Sequence, residues 1–379
     1  LGSPITDRLV EVRIEQSLDS PALFTLRLQE DICGGQPGII DREELQPKRV
    51  ISVAVQTEEG LACLIHGPIE RIRGSFAEGG PGSSVDITGR DRRSLLDLSS
   101  EQDTHEGRAS DVIQQMLRGV FDEVDVAQTS RVYSEGDGSL NQHGTNLRFI
   151  ERQARRNNLS FWVEYECERS GETLTVRETA HVQPSPPRPQ DTPEPSRSVA
   201  DIELVAEQGL VLRMNPRPGE RRTMTRFDVE IDVNRPTSAK GRVVEANDLE
   251  EEETSASDPQ PAVEPNGESL SQVAGDGEER VGHVISAGGR DEVQPQIQAM
   301  LTEAGWFVNA TASTTAEMLR GVLFPHQVVN VTGVGLRHSG AYQVKSVTHV
   351  INGTGHVMDL GLRRNAVGPS TSASRTGGS

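Results

Sequence analysis

The chain has 379 residues, a formal charge of −19, 34% hydrophobic residues and only 3% aromatic ones. That length exceeds one ordinary core and implies about two to four domains; with so few aromatics each core must be small and built from Val, Leu and Ile, which favours modest β-rich units over one large enzyme fold. The acidic balance excludes a general nucleic-acid-binding surface, and no stretch approaches the roughly 18 apolar residues of a membrane span.

From Leu9 to Ser94 the pattern is almost wholly β. Val10–Glu15, Leu23–Gln29, Arg49–Gln56, Ala62–Arg73 and Ser84–Arg90 read as strands, with Gly34-Gly35, Pro37-Gly38 and Gly79-Gly80-Pro81-Gly82 as turns. Such a run of short antiparallel strands closes into a small barrel or sandwich. Ser110–Val120 then carries Val112, Ile113, Met116, Leu117 and Val120 at helical spacing, with Ser110 or Asp111 as N-cap. Val124–Val132 is an expected strand and Gly136–Gly144 a polar loop. Next comes a basic helix from Asn146, with Phe149, Ile150 and Ala154 on one face. It feeds the alternating strand Leu159–Glu166, which returns through Ser170-Gly171 to Thr173–Arg177. These elements make an α+β unit between two β regions.

The prolines of 181–198 read as an extended linker. Ile202–Met214, Thr223–Val233 and Gly241–Ala246 resume the β pattern. Asn247–Glu279 is acidic, rich in Ser, Pro and Gly, and devoid of aromatics, so a mobile loop is expected. Gly289–Ala304 reads as a helix with Val293, Ile297, Met300 and Leu301 on one face and Pro295 in its first turn. Trp306–Thr314 is an expected strand, Glu317–Leu323 a transition, and Gln327–Val331, Gly340–Ile351 and Gly355–Arg363 three antiparallel strands. Asn352-Gly353 between the last two predicts a hairpin in which both residues tolerate positive φ. Residues 367–379 read as a flexible tail.

The candidate chemistry has mostly structural readings. His338, His349 and His356 fall in the closing hairpins without HxH or HxxxH spacing, so half-buried or surface histidines are expected rather than a metal site. Glu164 and Glu166 share one strand face and read as solvated, and Asp86 and Asp91 beside Gly89 read as turn chemistry. Ser339 lacks the GxSxG frame. Ser286-Ala287-Gly288-Gly289 lacks the ending of a P-loop, and Gly74–Gly82 lies in a hairpin turn. Cys33, Cys63 and Cys167 are odd in number and widely spaced, so neither a disulfide framework nor a zinc site follows and assembly in a reducing cytosol fits. The N-terminus lacks the regions of a secretory signal peptide. No catalytic, cofactor-binding or metal-binding residues are therefore expected. Arginine greatly outnumbers lysine, present only at Lys48, Lys240 and Lys345; GC-rich coding accounts for this, with guanidinium–carboxylate pairing across subunit interfaces as the second reading. In the basic helix Arg148, Arg152 and Arg155 recur at i, i+4 and i+7, with Arg156 beside them. A salt-bridging face toward a neighbouring subunit is favoured over a nucleic-acid contact, because no aromatics interleave.

The stretch from Asn141 to Glu166, with Asn141-Gln142, Asn146, Phe149, Ile150, Ala154 and Phe161-Trp162, resembles the late control protein D of contractile-tailed phages and the hub portion of type VI secretion spike proteins. The run Leu323–Asn365, with Pro325 and Tyr342-Gln343-Val344, is similar to the closing strands of the same family. The acidic loop 247–279 is longer than that family leads one to expect. The resemblance implies a homotrimer in which each chain gives two tube-like barrels, so that a pseudo-six-fold ring faces a hexameric inner tube on one side and a trimeric spike on the other.

The expected fold is β-rich α+β, with two small antiparallel β-barrels plus an inserted α+β domain and a loop-rich insertion. In sequence these are a first barrel at 1–99, the α+β domain at 100–180, the Pro-rich linker at 181–198 and a second barrel from 199–246 and 317–366. The acidic loop with its helix and strand occupies 247–316, and the tail 367–379. The expected function is a non-enzymatic tail hub of a contractile injection machine, with inner tube, separate spike and baseplate proteins as partners, and neither nucleic-acid contact nor membrane span. It would assemble in the bacterial cytoplasm as part of a phage tail or of a tail-like particle that is released. A tail-tip peptidoglycan hydrolase or peptidoglycan-binding protein is the alternative.

Overall fold

The structure is a computed structural model and describes residues 3–368 apart from 19, 31–37, 59, 79–81, 135–139, 172, 185–209, 244–251, 257–266, 276–279 and 287–289. The Pro-rich linker beyond 184, most of the acidic loop and the tail beyond 368 thus lie outside the described residues. A single turn, α1 (Ser3–Thr6), precedes β1 (Leu9–Ser17), β2 (Ser20–Gln29), β3 (Val50–Thr57), β4 (Gly60–Ser75) and β5 (Ser84–Arg90). There follow β6 (Ser100–His105), β7 (Gly107–Arg108), α2 (Ala109–Arg118), β8 (Glu123–Val126), β9 (Val132–Tyr133), β10 (Leu140–Thr145), α3 (Asn146–Arg156), β11 (Ser160–Ser170) and β12 (Thr173–Gln183). The remainder comprises β13 (Val211–Arg213), β14 (Arg226–Ile231), β15 (Ser238–Val243), β16 (Glu252–Ala256), α4 (Leu270–Ala274), β17 (Val281–Ser286), α5 (Arg290–Gly305), β18 (Val308–Thr315), α6 (Ala316–Leu319), β19 (Val328–Thr332), β20 (Gly340–Asn352) and β21 (Gly355–Arg364).

The expected barrel strands form one open sheet of 11 strands, ordered β14-β18-β21-β20-β1-β2-β5-β4-β3, with β19 on β20 and β13 on β19. Among the described residues none of the sheets closes on itself. The two halves meet at an antiparallel seam, Glu11↔Asn352 through Ser17↔Ser346. Outward from that seam each half repeats one order: a hairpin (β1-β2 or β20-β21), then a strand from elsewhere in the chain (β5 or β18), then its neighbour (β4 or β14). The alternation explains the seam. Val12 and Ile14 of β1 and Val344 and Val347 of β20 point into a single apolar core that also takes Phe24 and Leu26 from one half and Leu360 and Leu362 from the other. The halves therefore share a core where two were expected.

In β4 the pairing changes hands. Its first part pairs with β3 as far as Pro68, its second with β5 from Ile69 onward. Glycine is required at this crossing: a Cβ on Gly67 would lie 1.9 Å from the carbonyl oxygen of Arg90, and one on Gly89 2.1 Å from that of Pro68. Gly67→Ala is expected to cost about 3 kcal/mol through overpacking against backbone that cannot yield, read as a lowered urea midpoint; an unchanged midpoint would mean the crossing relaxes.

A second core joins α2 and α3 to β11 and β12 through Ile113, Leu117, Phe149, Ile150, Phe161 and Val182. Here β12 pairs antiparallel with β11 and parallel with β8. A third, small core packs α5 through Val293, Ile297 and Leu301 on Ala239 of β15. A Cβ on Gly241 would meet Val293 at 2.2 Å, so glycine lets the helix approach the strand.

Several boundaries differ from expectation. Val308–Thr315, placed with the insertion, lies in the large sheet between β14 and β21. Ser238–Val243, placed with the second barrel, pairs instead with β16 and β17. The linker begins later than 181, because His181, Val182 and Gln183 continue β12 and Val182 is buried. Val124–Val132 is two short strands in different sheets. Part of the expected polar loop 136–144 is β10, paired with β6. There a buried amide replaces apolar alternation: Gln142 bonds His105 at 2.8 Å and donates to Asn146 Oδ1 at 2.7 Å. Pro295 lies beyond the first turn of α5. In the last hairpin Asn352 pairs with Gly355, and only Gly355 takes positive φ. Asn352 Oδ1 instead accepts from the Thr354 backbone N–H at 2.9 Å, an Asx turn that needs no left-handed residue.

Candidate functional site

Asp91 follows β5 and starts a 3₁₀ turn, Arg92–Asp97, whose first amides have no helical partner. Its carboxylate accepts from Arg93 N at 2.9 Å and from Ala22 N at 2.7 Å, and takes the Arg93 guanidinium at 2.7 Å. The same guanidinium donates to the carbonyls of Ser20 at 3.0 Å and Phe161 at 3.2 Å and lies 5.7 Å from the Phe161 ring centroid. Burial opposes the charge on Arg93, and the Asp91 carboxylate outweighs it, holding the pKa above its ordinary value. One side chain thus ties the first half of the large sheet to the α+β unit.

Beside this pair is a cavity of about 500 Å³ where β1, β11 and the segment before β19 converge. Trp162 of β11 is stacked between two histidines, with His326 at 4.1 Å and 25° and His181 at 5.1 Å and 18°. Its indole N–H donates to Glu164 at 3.1 Å. His181 faces Asp125 at 3.2 Å and Glu164 at 3.5 Å. Burial opposes protonation of His181 but the two carboxylates prevail and raise its pKa, while the His181 contact holds Glu164 below the usual carboxylate range. His326 stands at φ 75, a left-handed conformation, and burial with Arg363 and Arg93 nearby pushes its pKa down to about 3.

The His326 environment disfavours proton-transfer chemistry at neutral pH. A general base works best with a pKa near the working pH; His326, at about 3, is far too weakly basic, and His181 is engaged by the carboxylates of Asp125 and Glu164. The arrangement suits a joint: stacked rings and charged pairs lock β11, β12 and β8 against the segment leading into β19. Nearby, Glu178 is buried, its carboxyl pushed up to about 7 by burial despite Arg92 at 2.7 Å.

The structure brings together two of the three histidines singled out in sequence. His349 and His356 are 3.0 Å apart and His349 reaches Gln16 at 3.2 Å, whereas His338 lies in the loop before β20 and its carbonyl accepts from Tyr342 Oη. Glu164 and Glu166 are exposed, although Glu164 also meets Trp162 and His181. Asp86 pairs with Arg27 across β5 and β2 at 2.9 Å. Among the described residues no group of three or more His, Cys, Asp or Glu is arranged to hold a metal ion, and no helix is long and apolar enough to cross a membrane. Arg93, His181 and His326 had no sequence signal as partners. Asp91, one residue before an Arg-Arg pair at a strand end, was the available hint, as an N-cap.

No protein-family model matches the chain, and no curated protein matches it by sequence. Solved structures do match. A tail protein from Neisseria meningitidis superposes with a TM-score of 0.58 at 16% identity, over 94% of this chain and 92% of that one. The chain has a phage tail-protein fold. The same fold relates it to a 43 kDa tail protein of prophage MuSo2 from Shewanella oneidensis, with a TM-score of 0.55 at 11% identity over 93% of this chain and 94% of that one. An E. coli type VI secretion component, described as similar to the bacteriophage T4 tail proteins gp27 and gp5, gives 0.53 at 10% identity over 96% and 74%. The tail-hub resemblance of the sequence and the likeness of the structure thus point to one group of proteins.

Proposed function

We propose that this chain is a non-enzymatic tail hub of a contractile injection machine, a trimeric adaptor between a hexameric inner tube and a trimeric spike within a baseplate. The observation that carries this reading is the seam between β1 and β20 within a tail-protein fold: one chain presents two sheet halves of like strand order. Three such chains offer six similar units around an axis, so one ring can satisfy a six-fold partner on one side and a three-fold partner on the other. The open sheet supports ring formation as well. Among the described residues its outer strands β3 and β14 each have one strand neighbour, and an unpaired edge is a template for another chain. In this reading each half is a tube-like barrel element completed in the trimer. The units around α3 and α5 stand outside the ring and face spike or baseplate.

Mass photometry of the purified chain, with and without a cognate inner-tube protein, tests it. A trimer that binds the tube protein is expected; a monomer with no affinity for tube or spike would overturn the reading. On a peptidoglycan zymogram no clearing is expected, and clearing would favour a tail-tip hydrolase.

A further inference from the structure

Between α3 and α5 lies a cleft of about 1090 Å³. Arg148, Arg152 and Arg155 line it from α3, and Arg235 and Arg363 from the opposite side. Among the described residues two carboxylates, Glu151 and Glu303, share the lining. Glu303 is engaged by Arg363 at 3.4 Å, and Arg156 by Glu292 of α5 at 3.2 Å. Among the described residues no carboxylate stands within ion-pair distance of Arg148, Arg152 or Arg155. Two buried atoms in the walls, Arg152 Nε and Thr302 Oγ1, have no hydrogen-bond partner among the described residues. Burial and the neighbouring Arg156 also lower the pKa of Arg152, as expected of a guanidinium crowded by like charge without a carboxylate.

We infer that this cleft binds an acidic, extended polypeptide segment of a neighbouring protein in the assembly. Three features select that ligand. The spacing fits: residues four apart on a helix rise about 6 Å, close to the roughly 6.6 Å between alternate side chains of an extended strand, so successive same-face carboxylates can meet Arg148 and Arg152. The walls fit: Met300, Pro236 and Leu159 beside the arginines give apolar contact for the intervening side chains, and the cleft is much larger than a free inorganic anion requires. Nucleic acid fits poorly, because the aromatics at the cleft, Phe161 and Trp306, are buried and unavailable for base stacking, and the chain carries a net charge of −19. Arginine is the suitable donor here, since its planar fork takes carboxylates bidentately.

The inference does not depend on the trimer, so the two stand or fall separately. The test is fluorescence anisotropy on the full chain with a dye-labelled peptide of alternating Glu and Leu, its counterpart with Gln in place of Glu, and a single-stranded DNA oligonucleotide. The acidic peptide is expected to bind at least about tenfold more tightly than the Gln peptide, with affinity falling as salt rises. Arg148→Gln/Arg152→Gln/Arg155→Gln is expected to lose that preference, and Arg235→Gln on the opposite wall to weaken binding should the triple variant fail to fold. Equal binding of the two peptides, tighter binding of the oligonucleotide, or undiminished affinity in the folded variants would overturn it.

Discussion

Asp91→Ala is expected to cost about 3–5 kcal/mol of folding stability, the range for breaking a buried ion pair from one side. Asp91 is 1% exposed and the Arg93 side chain 6%. Removing the carboxylate leaves the guanidinium buried with only two carbonyls, those of Ser20 and Phe161, and orphans the amide of Ala22, which then has to be desolvated unpaired. Arg93→Met should cost a similar amount for the mirror reason, since it strands a carboxylate beside two amides. The double variant Asp91→Ala/Arg93→Met should lose clearly less than the sum of the single losses, because neither charge is then left unmatched. Urea unfolding of the four proteins at neutral pH gives the cycle. Single losses below about 1 kcal/mol, or strict additivity, would show that the pair behaves like a surface bridge. Because Arg93 also bonds the Phe161 carbonyl, its loss should expose the α+β unit to protease before the large sheet.

Local pattern made most of the strands readable. Alternation in Val10–Glu15 and Leu23–Gln29 fixed both the strand and its buried face, as Ile14, Phe24 and Leu26 at under 2% exposure bear out. What sequence could not supply was the partner of each edge. Gln16 and His349 stand 333 positions apart yet touch across the seam, and nothing in the local periodicity of either strand names the other. For that reason two separate barrels were a natural expectation and a shared open sheet was not. The polar pair β6 and β10 was invisible for a different reason: its buried position is filled by Gln142, whose cost is met by hydrogen bonds to His105 and Asn146 rather than by hydrophobicity. At α3 the helical spacing displayed three arginines on one face, but the opposite wall of their cleft comes from Arg235 and Arg363, which only the tertiary fold brings near.

The histidines at the seam make stability depend on acid in a way that one substitution isolates. His349 is fully buried, and its hydrogen bonds define its protonation. Gln16 donates its amide to the Leu64 carbonyl at 2.6 Å, so its Oε1 faces His349 Nε2, which must carry the proton. His349 Nδ1 is then the acceptor toward His356 Nε2 at 3.0 Å. A second proton on His349 would set two donors face to face in an apolar seam; burial, with His356 adding to it, pushes the pKa down to about 3. The folded value lies below the unfolded value of about 6.5. The unfolded chain therefore takes up the proton first as pH falls, and stability is lost progressively from about pH 6.5 toward about pH 3. Between pH 7 and pH 5 this one group should remove about 2 kcal/mol, and His326, also pushed to about 3, acts with the same sign. Glu178 and His181, both raised, act in the opposite direction, so the whole-protein profile mixes the two. The comparison of wild type with His349→Gln separates them, because both proteins share every other group. The variant should be less stable at pH 7, and by pH 5 the gap should narrow by about 2 kcal/mol, measured by urea unfolding at each pH. A gap of constant size would mean that His349 titrates near its ordinary value and that the seam admits its charge.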